Sequence, residues 1–165
     1  MLPGRFTAMR KVFLLFIILL PAGSAAQNVG PFDTEGLRSL LGNRSDTVYV
    51  VNFWATWCSP CVKEIGYFEE LHRADNPLLK VVLVNLDFPN QVEQRVQPFI
   101  RAHDLTAPVV NMTEMDYNKW IPLVDEDWSG AIPATLIFSA KGTEFIGTEI
   151  AREALFETIA SFNSK

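Results

Sequence analysis

The chain has 165 residues, 48% of them hydrophobic and 20% charged, with 14 Lys plus Arg against 19 Asp plus Glu. Arg5, Arg10 and Lys11 are the only charged groups of the first 26 residues, so without that segment 11 basic groups face 19 acidic ones, a formal charge of −8. This balance excludes a nucleic-acid binder, whose phosphate contacts need a basic face, and 12 Phe with 4 Trp exclude a disordered tail.

Arg10 and Lys11 precede an unbroken apolar run, Val12 to Leu20, closed by Pro21 and Gly23 and followed by Ser24, Ala25 and Ala26. This is the tripartite pattern of a secretory signal, with cleavage expected after Ala26. The run is well short of the ~20 residues of a membrane span, so an uncleaved anchor is the alternative only if flanking residues join it. No Cys follows the run, which argues against a lipid-modified amino terminus. The expected organisation is a signal peptide over 1–26 and one working domain over 27–165. That domain is expected to be periplasmic or otherwise extracytoplasmic, soluble after cleavage or tethered by the uncleaved segment.

Asp33 or Thr34 caps a predicted short helix carrying Leu37, Leu40 and Leu41, stopped by Gly42 and Asn43. After a polar loop, Val48 to Trp54 has the β-branched and aromatic composition of a strand buried on both faces. A helix follows from about Cys58 to Arg73, then a second buried strand, Lys80 to Leu86. Asn90 to His103 reads as a helix interrupted by Pro98, which has no N–H to donate. Ala107 to Met112 is a candidate short strand and Tyr117 to Val124 a helix or turn broken by Pro122. Thr135 to Phe138 and Thr143 to Thr148 are short strands around a turn-rich gap that suits a hairpin. Ala151 to Phe162 closes the chain as an amphipathic helix with Leu155, Phe156, Ile159 and Phe162 on one stripe. The order predicts an α/β fold: parallel strands with helical crossovers early, an antiparallel hairpin late, and helices on both faces of a mixed central sheet.

The chemistry lies in Trp57, Cys58, Ser59, Pro60 and Cys61, where the buried strand ends and a helix begins. These are the only two cysteines, and in an exported chain such a pair reads either as a structural disulfide or as a redox couple. A ring this short stabilises a fold by only roughly 2 kcal/mol, so a staple would serve better elsewhere. Three helical residues turn through roughly 300°, which sets both sulfurs on nearly one face, within reach of each other. Unpaired N–H groups at a helix start favour a negative charge, so the Cys58 thiolate is stabilised, while Cys61 lies a turn inside. Cys58 is therefore the attacking sulfur and Cys61 the resolving one. Pro60 suits the first turn, and Trp57 reads as a cover for the sulfurs and part of a docking surface, or as a core anchor.

The stretch Asn52 to Cys61, NFWATWCSPC, resembles the active-site segment of thioredoxin-fold proteins, specifically the TlpA/ResA-like extracytoplasmic thiol-disulfide oxidoreductases. Gly130-Ala131-Ile132-Pro133-Ala134-Thr135 is similar to the segment in which that fold sets a cis proline opposite the cysteines. The resemblance covers roughly Val48 to Phe162. It implies a thioredoxin-like fold, a cis bond before Pro133, and recognition of an extended substrate at Ile132 by strand-like addition. It also implies substrate contacts at Trp57, Ser59 and Pro60. Cytosolic thioredoxins commonly carry a buried Asp where this chain has Asn52. Glu64 stands where ResA-like proteins carry an acid that tunes the cysteines, although a solvated helix glutamate fits the same spacing. Gly66 departs from the family, which usually has a helix-kinking proline there, and leaves the reach of Glu64 and the depth of Cys61 open.

The resemblance implies a reductase of disulfides in exported proteins, apo-cytochrome c among the candidate clients, supplied by an upstream membrane thiol donor. The cycle needs no organic cofactor or metal beyond the redox-active Cys58–Cys61 pair, and a monomer is the expected state. The alternatives are a disulfide-donating oxidase, a thiol peroxidase of related fold, whose usual neighbouring Thr and Arg are not apparent around Cys58, and a non-catalytic binding module. His72 and His103 have no neighbouring Cys or His to complete a zinc site, and no nearby histidine offers a third ligand for copper. Asp116 to Gly130, with Trp120 and Trp128, reads as the lining of a peptide groove or as core anchoring, and Asp125 to Asp127 as a solvated turn.

Overall fold

A computed structural model describes residues 27–164; the signal pattern of residues 1–26 lies outside them. Six strands form one mixed sheet: β1 (Gly30–Phe32), β2 (Val48–Trp54), β3 (Leu79–Asn85), β4 (Val109–Met112), β5 (Ala134–Ser139) and β6 (Gly142–Ile146), in the order β1-β4-β3-β2-β5-β6. The first four run parallel to one another, while β5 is antiparallel to β2 and β6 to β5. The helices are α1 (Thr34–Leu41), α2 (Ser59–Arg73), α3 (Gln97–Ala102), α4 (Ile121–Val124) and α5 (Arg152–Ser164).

Alternation along β2 builds two cores. Val48, Val50 and Trp54 face one side with Ile65 and Phe68 of α2, Ile100 of α3 and Leu155 and Ile159 of α5. Tyr49, Val51 and Phe53 face the other with Leu37 of α1, Trp120 and Val124. Every residue of β2 is buried, as expected for a central strand covered on both faces. The α/β architecture with helices on both faces is the one anticipated.

Three local readings change. β1 was not anticipated: three residues with a central proline carry no period to read, and the strand exists only through its parallel pairing with β4. The segment after β3 is not one broken helix but a 3₁₀ turn (Pro89–Gln91), a π-helical turn (Val92–Val96) and then α3. The wide turn carries the Gln97 N–H back to the Val92 carbonyl, so Pro98 enters near the start of α3, where a missing donor is tolerated. Tyr117–Lys119 is a 3₁₀ turn capped by Asp116, distinct from α4.

One buried carboxylate ties α2 to the loop before β4. Glu69 accepts from the N–H groups of Thr106 and Ala107, both at 2.9 Å, and from Arg73 Nε at 2.6 Å. Burial alone would raise its pKa, yet the bonds from Thr106, Ala107 and Arg73 outweigh it and hold the carboxyl below the usual range.

Candidate active site

The turn Ala55 to Trp57 carries the chain from β2 into α2, and Cys58 is the residue that caps the helix. Its backbone is extended (φ −86°, ψ 97°), and its Sγ accepts from the Cys61 N–H at 3.3 Å, the place a Ser or Asp oxygen takes in an ordinary cap. The two cysteines form a disulfide with Cα atoms 5.3 Å apart. Ser59 and Pro60 are the first two helical residues; Pro60 there sacrifices no intrahelical bond. Cys58 retains 5% exposure and Cys61 none, while Trp57 stands 60% exposed beside them. In the reduced state a charge on the Cys58 sulfur would face the N–H groups of the first turn, whereas Cys61 is fully buried inside the helix.

A buried polar network, not anticipated from the sequence, holds this turn. Asp87, just beyond β3, accepts from the Thr56 N–H at 2.8 Å, the Thr56 hydroxyl at 2.6 Å and Asn85 Nδ2 at 2.9 Å. Asn111 Nδ2 in turn donates to Asn85 Oδ1 at 3.0 Å and to the Asp87 carbonyl at 2.8 Å. The ends of β3 and β4 are thereby tied to Thr56, two residues before Cys58.

On the other side lies the proline loop. The Ile132–Pro133 peptide bond is cis, Pro133 is buried and Ile132 half-buried. Ile132 and Trp57 share a cavity of about 220 Å³ with Leu86, Tyr117, Ile121 and Gly130. Trp120 and Trp128 are core anchors: both are buried, in contact with Phe53, and the Trp128 indole donates to the Ala131 carbonyl at 2.8 Å. Asp125 is half-buried, and Glu126 and Asp127 are exposed in the turn between them.

Glu64 is 1% exposed, so it is not a solvated helix residue. Its carboxylate accepts from Asn52 Nδ2 at 3.0 Å and from the Ile150 N–H at 2.9 Å, and Asn52 also donates to Thr135 Oγ1 at 3.1 Å. Asn52 is thus the partner of Glu64, a link invisible while the two were read separately. Burial pushes the Glu64 pKa up to about 7, against the bonds from Ile150 and Asn52 and aided slightly by Glu149. A raised carboxyl pKa means that the folded state prefers the neutral acid. The associated stability is fully present below the usual value of 4.5 and is lost as pH rises through about 7. Urea midpoints of Glu64→Gln should therefore gain on wild type as pH rises through that window, whereas parallel curves would refute the assignment.

α2 runs unbroken through Gly66, where an added Cβ would meet nothing within 4 Å. The position is exposed and needs no glycine, so Gly66→Ala should stabilise the protein by about 1 kcal/mol, measurable by thermal unfolding. Among the described residues no group of three or more His, Cys, Asp or Glu is arranged to hold a metal, and His103 is stacked on Phe99 at 4.0 Å.

A buried strand leading into a capped CxxC helix, opposite a cis proline, is the arrangement of the thioredoxin fold. A model of the AhpC/TSA family matches residues 23–143. The chain belongs to the AhpC/TSA family. Among its relatives, this AhpC/TSA member is 32% identical over 111 residues to the thioredoxin-like protein YneN of Bacillus subtilis, covering 66% of the chain and 59% of the relative. It is 36% identical over 123 residues to the thiol-disulfide oxidoreductase ResA of Bacillus cereus, covering 73% and 65%. The chain thus spans less than two thirds of the length of these relatives. The crystal structure of StoA from Bacillus subtilis superposes with a TM-score of 0.51 at 29% identity, covering 71% of this chain and 84% of that one. The resemblance read from the CxxC and proline segments holds.

Proposed function

We propose that the protein is an extracytoplasmic thiol-disulfide oxidoreductase working in the reducing direction on disulfides of exported proteins. The observation that carries this reading is a sulfur, Cys58, serving as the cap of α2 with a partner sulfur buried one turn behind it. The reduced Cys58 thiolate attacks one sulfur of a client disulfide; that S–S bond breaks and the departing client thiolate takes up a proton. Cys61 then loses its proton and attacks Cys58 Sγ, releasing the second client thiol and leaving the Cys58–Cys61 disulfide. Two electrons and two protons pass to the client, and a dithiol donor on the membrane restores the pair. Glu64, three residues beyond Cys61 on the same helix and poised to titrate near neutrality, would take up or return the Cys61 proton through water. Trp57, Ser59, Pro60, Ile132 and Pro133 would contact the client, the extended segment lying along Ile132. The cycle uses no organic cofactor or metal, and apo-cytochrome c is one candidate client.

The tripartite pattern of residues 1–26 supports the location, and relatives named for thiol-disulfide oxidoreduction support the chemistry. The test is reduction of insulin disulfides by the dithiol form, together with equilibration against a dithiothreitol or glutathione series. A reductase should equilibrate nearer thioredoxin, at about −270 mV, than a strong oxidant at about −120 mV. Replacement of both cysteines by Ala should abolish the reaction, and undiminished insulin reduction by that variant would overturn the reading.

A further inference from the structure

We propose that the client segment recognised at this site carries a bulky apolar side chain near its reactive cysteine and basic side chains further along. The inference rests on the oxidoreductase reading above and names its substrate class. Among the described residues five large apolar side chains are exposed, and four of them, Trp57, Phe88, Met115 and Tyr117, lie on loops that leave β2, β3 and β4. Trp57, Phe88 and Met115 each stand three residues past the last residue of their strand, Trp54, Asn85 and Met112. Parallel neighbours send these loops out at one end of the sheet, the end that bears the disulfide. Apolar side chains gathered there, rather than scattered, mark a contact surface.

Within that surface the cavity of about 220 Å³ opens between Trp57, Tyr117, Ile121 and Ile132. It is larger than the ~150 Å³ that holds a benzene ring in an engineered protein core. One wall is kept clear by Gly130, at φ +83°, where an added Cβ would come within 2.8 Å of Ile121 Cδ1. The cavity touches both Trp57, next to the attacking sulfur, and Ile132, so a client strand paired there can insert a side chain close to its cysteine.

The chain on either side of the residues that line this cavity is acidic. From Glu114 to Gly130 the chain has five carboxylates, Glu114, Asp116, Asp125, Glu126 and Asp127, and one base, Lys119. Lys119 is occupied by Glu114 at 3.2 Å and Asp116 at 3.9 Å. Asp116 caps the turn that carries Tyr117, and Asp125 to Asp127 lead into the wall at Ser129 and Gly130. Like charges in a client would be repelled from this edge and basic ones drawn to it, with a screened, salt-dependent gain in capture.

The test uses peptides with one cysteine held as a mixed disulfide with 2-mercaptoethanol, bearing Phe or Ser beside the cysteine and Lys or Glu pairs further along. The protein dithiol reduces each to the free peptide thiol and 2-mercaptoethanol, and rates are normalised to bis(2-hydroxyethyl) disulfide for every variant. Phe should exceed Ser by about tenfold in the single-turnover second-order rate constant. Lys should exceed Glu at ~0.01 M salt and lose the advantage at ~1 M, as the screening length falls from ~30 to ~3 Å. Tyr117→Ala should bring the Phe-to-Ser ratio toward one, and the triple change Asp125→Asn, Glu126→Gln, Asp127→Asn should do the same to the Lys-to-Glu ratio. Equal rates for all four peptides, or ratios indifferent to these substitutions, would overturn the client assignment while bis(2-hydroxyethyl) disulfide is still reduced. Inertness toward bis(2-hydroxyethyl) disulfide as well would instead refute the oxidoreductase reading itself.

Discussion

Cys61→Ala should accumulate a long-lived mixed disulfide between Cys58 and a client, recoverable by non-reducing electrophoresis and identifiable by mass spectrometry. Without the buried second sulfur, nothing within the protein can attack Cys58 Sγ, and release waits for an external thiol. Cys58→Ala should trap nothing, because the remaining sulfur is fully buried and lies inside the helix rather than at its cap. The same asymmetry predicts that Cys58 alkylates at least about tenfold faster than Cys61 at neutral pH in the reduced folded protein, since reaction follows thiolate character and access. Equal trapping by the two single variants would dissolve the division of roles.

The second large effect should come from a residue that touches neither sulfur. Asp87→Ala removes the acceptor for the Thr56 N–H, the Thr56 hydroxyl and Asn85 Nδ2 at once. Each buried donor left without a partner costs about 1–3 kcal/mol, so a loss of about 3 kcal/mol in urea unfolding is expected after some relaxation. Insulin reduction should fall as well, under conditions where the variant is folded, because Thr56 sits two residues before Cys58 and fixes the turn that aims it. Asp87→Asn keeps one acceptor oxygen and should fall between the two. A loss under about 1 kcal/mol with unchanged activity would show that the turn is held by other contacts.

β2 was legible to the residue: Val48 to Trp54 is an apolar run with no competing period, and both predicted ends match. α1, α2 and α5 were legible from caps and spacing, and the hairpin from its turn residues. Asn90 to His103 was legible only as helical. Pro98 announced an interruption, but the π-helical form it takes depends on how the turn packs through Val96 and Ile100 against the core. In the site, the cysteines, Trp57 and the proline loop were legible because each belongs to a short contiguous motif. Asp87 carried no such signal: an Asp after a strand fits a solvated turn as well as an acceptor for Thr56, and only Thr56, 31 residues away, distinguishes the two.

By itself the chain's order of residues determined the strand-to-helix junction, the place of the two sulfurs one helical turn apart and the electrostatic preference for charge at Cys58. These follow from backbone geometry and hydrogen bonding among neighbours a few positions apart. Only the tertiary structure decided that Glu64 is buried against Asn52 and Ile150, that Trp120 and Trp128 belong to the core, and that Tyr117 and Ile121 open a cavity beside Trp57. Glu64 and Ile150 are 86 residues apart, and helical spacing is the same for a carboxylate facing water as for one facing the sheet. The desolvation that moves its proton affinity exists only once α2 has docked on β2 and the chain before α5 has closed over it.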